Sequence, residues 1–405
     1  MKLTEAQMRR AEEALTFDPR AERRGLLDRT AVALADAPTL RRRIAQALGE
    51  GSDAAQLAVD RLLTGTDQLN VSYLERGMIA ADAVARIEVR NGESEVAGCA
   101  TGFMISPRLL LTNNHVLPSA DDAAQSWVHF RHEYDAFGNA VASCVFAFDA
   151  AAFFFTDADL DITVVAVAEE TPDRRQRVAR FGWLRLSAST DTVLPGEWLT
   201  MVHHPAGHPK QVSLRQNLLV RCGDAELWYA TDTAWASSGA PLFNDSWQVV
   251  ALHRVGAPAR DRVGRVLTVD GAPWTDGDDE ARVVWRAGVG TRTSAVVNCL
   301  AAVHGEHPLI AELLASADAD ATDAIVLPLG AGVERVPSST SASNAPADSS
   351  DHTPRATIPA SNGASANEPE THSVTPAVTV TVPLRITVRT GNGSGRAPAV
   401  GVNLS

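Results

Sequence analysis

From about residue 85 the apolar residues stop recurring at helical spacing and gather into short runs closed by Gly, Pro, Asn or Asp. The clearest are GFMISPRLLLTNNHVL, DITVVAV, EWLTMVHHP and QVVALHRVG. Strands and turns alternating in this way predict an all-β barrel or sandwich. A helical pattern returns at its end, around Ser294–Val303 and Pro308–Ala315.

The segments on either side obey other rules. Residues 4–68 read as helices: Thr4 can cap the first, and Met8, Ala11 and Leu15 share a face. Leu40, Ile44 and Leu48 mark a second inner face, ended by Gly49 and Gly51, and Asp53 opens a third helix with Leu57, Leu62 and Leu63. This small bundle contains no catalytic constellation, and its expected role is recognition, with a solubilising or folding segment as the alternative. Residues 71–84 predict a connecting helix that runs into a strand from Ala85 to Val89. From about 337 the chain turns to Ser, Thr, Ala, Pro and Asn, a composition that cannot bury a core and reads as a flexible linker. Beyond it Val378, Val380, Val382, Leu384, Ile386 and Val388 alternate as a strand, with Pro383 arguing for an edge position. A lone strand must pair with the core, another chain or a partner's sheet. The expected organisation is a helical domain (1–70), a connecting helix (71–86), a β domain (87–320), a disordered linker (321–375) and a strand (376–390).

Composition limits the function. At 405 residues and 45% hydrophobic, most of the chain can build buried cores, which excludes a wholly disordered, collagenous or disulfide-stapled protein. The net charge of −13 falls entirely in residues 91–336, because the flanking segments balance their acids and bases. A domain of that sign repels phosphate backbones, so nucleic acid is not the expected ligand. Cys99, Cys144, Cys222 and Cys299 are far apart, which supports neither a zinc site nor a disulfide framework. The charged start MKLTEAQMRRAEEALTF does not read as a signal peptide. The most apolar stretch, Ala140 to Phe155, is too short to span a bilayer. The expectation is a soluble cytoplasmic protein.

Three segments carry chemistry in the order His, Asp, Ser. An apolar strand ends in Thr112-Asn-Asn-His115; Asp161 stands at the mouth of the buried run Ile162-Thr-Val-Val; and Ser238 lies in the small-residue turn Ala236-Ser-Ser-Gly-Ala-Pro241. A serine hydroxyl is a weak nucleophile at neutral pH and needs a base, which in turn needs orienting. His115 would take the Ser238 proton, Asp161 would hold the imidazole, and the N–H groups of Ala236 and Ser238 would form the oxyanion hole. The order opposes that of α/β-hydrolases, and no G-x-S-x-G elbow surrounds Ser238.

On GFMISPRLLLTNNHVL, LDITVVAV and SSGAPLFNDSWQVVALH, residues 87–303 resemble trypsin-like peptidases of the chymotrypsin fold, nearest to the bacterial glutamyl-endopeptidase-like branch. The resemblance implies an all-β double barrel, peptide-bond hydrolysis of protein substrates, and no metal or cofactor. It matches Thr233 and His253 to pocket residues that favour an acidic side chain, and Asp232 to an acid that favours a basic one. All three are therefore assigned to the specificity pocket without a preference. Two departures stand out: Ala236 replaces the usual glycine, and Ser237 replaces the acid that a freshly cut N-terminus would pair with. The cluster His203, His204 and His208 invites a metal reading, but Pro205 and Gly207 break any aligning helix, and a loop beside the site is the better one. Trp235 reads equally as a cleft wall or a core residue. With its helical N-terminus, the architecture resembles bacterial effector proteases that carry a death-like (effector-associated or CARD-like) domain. That likeness implies a protein partner and a stress or antiphage pathway. A decayed protease scaffold serving as a binding module, and a secreted degradative protease, are the rivals.

Overall fold

A computed structural model describes residues 8, 9, 12, 17–19, 21–23, 69–317 (apart from 93–94, 191, 232–236, 276–277 and 279–281) and 325–326. The first half of the β domain follows helix α1 (Ser72–Asp82) and contains β1 (Val84–Arg90), β2 (Val96–Met104), β3 (Leu109–Thr112), β4 (Trp127–Phe130), β5 (Cys144–Ala147), β6 (Phe154–Asp157) and β7 (Ile162–Ala166). A short helix α2 (Ala120–Gln125) precedes β4. Its N-cap Ser119 accepts the Asp122 N–H at 3.1 Å, and Asp121 and Asp122 complement the helix dipole in the first turn.

After β8 (Trp183–Leu184) the second half contains β9 (Trp198–His203), β10 (Gln211–Cys222), β11 (Glu226–Thr231), β12 (Pro241–Phe243), β13 (Val249–Pro258) and β14 (Trp285–Arg292). Helices α3 (Thr293–His304) and α4 (Pro308–Ala317) follow, close to the two helical stretches read from the sequence.

Only one of the two expected barrels closes fully. The second half forms a closed barrel in the order β10-β11-β14-β13-β12-β9, whereas the first is a seven-stranded antiparallel sheet in the order β5-β4-β1-β2-β3-β7-β6. Among the described residues one isolated bridge, Phe148 to Val167, joins the residue after β5 to the residue after β7. Asp149 Oδ1 accepts the Ala152 N–H at 3.2 Å, in a turn just past the bridge that leads the chain into β6, which pairs with β7.

Alternation decides what the barrel buries. Along β11, Leu227 and Tyr229 join the inner cluster with Leu199, Met201 and Leu242, while Trp228 and Ala230 face outward with Val220, Val255 and Val289. The N-terminal residues lie against that outer face: Phe17 packs edge-on to Trp228, with ring centroids 5.8 Å apart, and the Arg221 guanidinium stacks over Phe17. Met8 is fully buried among Val266, Trp274, Val283 and Trp285, and Arg260 pairs with Glu12 at 2.5 Å. Helices α3 and α4 return to the first sheet, burying Val296, Leu300, Ile310 and Leu313 in its core.

Within the expected linker, Ile325–Val326 forms a two-residue strand (β15) antiparallel to β8. Its apolar run adds to that strand through backbone pairing. The rest of the linker, the strand expected at 376–390 and most of the helical domain lie outside the described residues. Among the described residues no helix is long and apolar enough to cross a membrane.

Candidate active site

The polar ending of β3 becomes intelligible in three dimensions, because four consecutive side chains tie it to three other segments. Thr112 Oγ1 donates to the Thr101 carbonyl at 2.8 Å, and Asn113 Nδ2 donates to the Asp161 carbonyl at 2.9 Å. Asn114 Nδ2 donates to Thr156 Oγ1 at 2.8 Å. His115 closes the set, its Nδ1 lying 2.8 and 3.0 Å from the two Asp161 carboxylate oxygens while its own backbone N–H donates to Oδ1 at 3.0 Å. Both side chains are mostly buried. Asp161 adopts a left-handed backbone (φ 52°), a state Asp tolerates better than most residues and which turns the carboxylate back toward His115.

Ser238 sits on the second barrel, in the turn before β12. Its carbonyl accepts the Thr101 N–H at 2.9 Å, Ala240 N–H donates to the Ser237 carbonyl at 3.0 Å, and Gly239 N–H donates to the His253 carbonyl at 3.0 Å. The Ser238 hydroxyl donates to the Arg254 carbonyl at 3.2 Å, and His115 Nε2 is buried with no hydrogen-bond partner. The serine–histidine bond expected from the sequence is therefore not formed. Such bonds commonly tighten only when substrate fills the site.

His253, expected in the specificity pocket, lies on β13 next to this turn and is buried, with Nδ1 bonded to the Tyr229 hydroxyl. Burial, with His203 nearby, pushes the imidazole down to about 3, and burial pushes the Tyr229 phenol well above its ordinary range. The phenol therefore keeps its proton and the imidazole is neutral at pH 7. Asp232, Thr233, Trp235 and Ala236 lie outside the described residues.

The three histidines of HHPAGHP go separate ways. His203 Nδ1 lies 2.5 Å from Ser237 Oγ and its Nε2 lies 3.3 Å from Ser213 Oγ, whereas His204 Nδ1 donates to the His208 carbonyl at 3.1 Å. Among the described residues no three His, Cys, Asp or Glu side chains converge as metal ligands do. The Ser237–His203 pair, Tyr229 and Arg254 carry no signature that the sequence pattern singles out. Ser237 alone leaves a signal, as the odd residue before the nucleophile.

Residues 100–252 match the family model of the trypsin-like peptidase domain. A Sinorhizobium fredii protein, described as uncharacterized protein y4fB, is 43% identical over 211 residues, covering 50% of this chain and 32% of that protein. The chain thus spans about a third of that relative's length. Solved structures similar to it include the serine endoprotease from Yersinia pestis (14% identity, 60% of this chain and 68% of that one, TM-score 0.37). Another is the active form of the Rv3671c protease from M. tuberculosis (16% identity, 58% and 87%, TM-score 0.36). His115, Asp161 and Ser238 all fall inside the segment that matches the trypsin-like peptidase domain model.

Proposed function

We propose that the protein is a serine endopeptidase in which Ser238 is the nucleophile, His115 the general base and acid, and Asp161 the group that orients His115. The observation that carries this reading is the paired contact of His115 Nδ1 with both Asp161 oxygens, which leaves Nε2 as the free basic nitrogen. As Ser238 Oγ attacks the scissile carbonyl carbon, its proton passes to His115 Nε2 and the carbonyl oxygen becomes an oxyanion between the N–H groups of Ala236 and Ser238. Collapse expels the amine with the proton returned by His115. Water then repeats the cycle on the acyl-enzyme and regenerates Ser238.

For specificity we favour an acidic residue before the cleaved bond, as in the glutamyl-endopeptidase-like branch. With the Tyr229 hydroxyl donating to Nδ1, His253 keeps its proton on Nε2, a neutral donor suited to a carboxylate. Thr233 would add a second donor, and Asp232 would pair with His253 or cap a turn. Cytoplasmic location, recruitment of a protein partner by the N-terminal helices as a death-like domain, and a role in stress or antiphage defence belong to the same reading.

Fluorophosphonate labelling of the full-length chain tests the core of it, because the probe needs an activated serine but no known substrate. Labelling is expected, abolished in Ser238→Ala, and followed by cleavage after Glu in a peptide library. Stronger labelling after deletion of residues 1–70 would indicate that the helical segment restrains the enzyme. The unmade His115–Ser238 bond favours one rival, a protease-like binding module. Absence of labelling and of turnover with any peptide would select it.

A further inference from the structure

Arg254 follows His253 on β13, and a single residue there touches both halves of the site. Its carbonyl accepts the Ser238 hydroxyl at 3.2 Å. Its side chain is 16% exposed and crosses to the first sheet, where Nε lies 3.8 Å from Asp161 Oδ2 and Nη2 donates to the Asp159 carbonyl at 3.4 Å. The guanidinium is anchored behind by Glu226 of β11, which accepts from Nη1 at 2.8 Å. Arg254 Nε is buried and makes no hydrogen bond, and it faces the Asp161 carboxylate.

We propose that Arg254 is a positioning residue for the Asp161–His115 pair, holding the Asp161 carboxylate in register with Ser238 across the junction of the two β units. The proposal deepens the hydrolase reading above and rests on its assignment of the site. The acid belongs to a loop of the first sheet, and the nucleophile to a turn of the second barrel. Nothing in β7 itself fixes their separation. Arg254 does so through its backbone on one side, which receives the Ser238 hydroxyl, and through its charge on the other. Thr291 of β14 supports the same loop by donating to the Leu160 carbonyl at 2.6 Å.

The arrangement also sets a charge sequence. Glu226, Arg254, Asp161 and His115 alternate in sign once the imidazole is protonated, as it must be during the reaction. Arg254 tempers the pull of Asp161 on the imidazolium, and Glu226 tempers Arg254 in turn. Of the other titratable groups, His253 on β13 interacts with Asp161, while Asp157 of the same loop is engaged by the Asp159 and Leu160 N–H groups. His253 is neutral above about pH 3 and does not compete. A unit charge one carboxylate away from an imidazole moves its titration by about one pH unit at the effective dielectric of a partly buried site.

The test reads His115 directly, by NMR titration of isotope-labelled histidine side chains in the full chain, with His115→Gln to assign the resonance. In Arg254→Met the His115 midpoint is expected to rise by about one pH unit. Arg254→Lys keeps the charge and is expected to hold the wild-type midpoint, while Glu226→Gln is expected to lower it. In the active enzyme Arg254→Met should cut kcat roughly 10- to 100-fold with little change in KM, as expected when an oriented geometry rather than a substrate contact is lost. An unmoved midpoint in both Arg254→Met and Glu226→Gln would overturn the proposal, as would a loss confined to KM. If Arg254→Met fails to fold, the Lys and Glu226 variants carry the same decision. The titration needs no turnover, so a wild-type protein that fails to label would sink the hydrolase reading and still leave the role of Arg254 decided.

Discussion

Gly239, immediately after Ser238, has φ +86°, and a Cβ built there would stand 1.9 Å from the Thr101 carbonyl oxygen and 2.5 Å from Thr112 Oγ1. Both obstacles are held: Thr112 Oγ1 donates to that same carbonyl, and Thr101 N–H donates to the Ser238 carbonyl. Neither can yield without moving the nucleophile or the strand that carries His115. Gly239→Ala therefore combines a left-handed backbone with a backbone clash, a pairing glycine alone escapes. Fluorophosphonate labelling is expected to fall at least about 100-fold, since near-attack geometry tolerates little displacement. Wild-type labelling in this variant would show that the turn is not held as described.

At the scale of elements, one end of α1 is anchored to the β domain by a buried cation. Lys210, just before β10, donates to the Ala81 carbonyl near the C-terminus of α1 at 2.6 Å and pairs with Glu133 at 3.0 Å. Its ammonium is almost wholly enclosed, and that burial, opposed by Glu133, holds it below the usual lysine range. At the other end of the helix Tyr73 bonds Thr200 at 2.7 Å, and Gly77 lets the Trp247 indole approach where a Cβ would meet it at 2.4 Å. Both ends of helix α1 are thus held against the second half of the fold. Lys210→Met removes the cation and leaves Glu133 and Asp82 facing each other without it. The expected cost is about 3 kcal/mol in urea unfolding, with part recovered in the double variant Lys210→Met/Glu133→Gln. A single variant as stable as wild type would mean that Lys210 is only incidental to the docking of α1.

For the molecule as a whole, burial of histidines is the dominant link to pH. His203 is pushed down to about 4 by burial, and His204 to about 2 by burial with Lys210 adding to it. His129 is lowered to about 4 by burial and then Arg86, and His253 to about 3. In the unfolded chain each returns toward 6.5, so below that pH the unfolded state binds more protons than the folded one. Stability is therefore complete above about pH 6.5 and is lost as pH falls toward these folded values. The loss is expected to be on the order of 5 kcal/mol between pH 6.5 and 5. A melting temperature that stays flat over that interval would contradict the burial of these four rings as neutral groups.

Much of this architecture is legible in the residues alone. The run-and-turn pattern after residue 85 predicts the β domain because strand period and turn chemistry are local properties. The two closing helical stretches predicted there lie within a few residues of Thr293–His304 and Pro308–Ala317. The segments bearing His115, Asp161 and Ser238 stand out by the residue types their chemistry demands. That one isolated bridge joins the ends of β5 and β7 has no such signal, because pairing between separate segments is set by register once the sheet has formed. The packing of Met8 and Phe17 against the second barrel has none either, since a helical face looks the same whether it covers a bundle or a sheet. Nor do Arg254, Tyr229 and the Ser237–His203 pair announce themselves. Their partners stand from tens to almost a hundred residues away, and a side chain's neighbours across a barrel are set by register and alternation, which exist only once the strands have paired. The sequence by itself determined the kinds of element and the reactive groups they carry; tertiary structure decided which groups meet, because contacts between distant segments have no local signature.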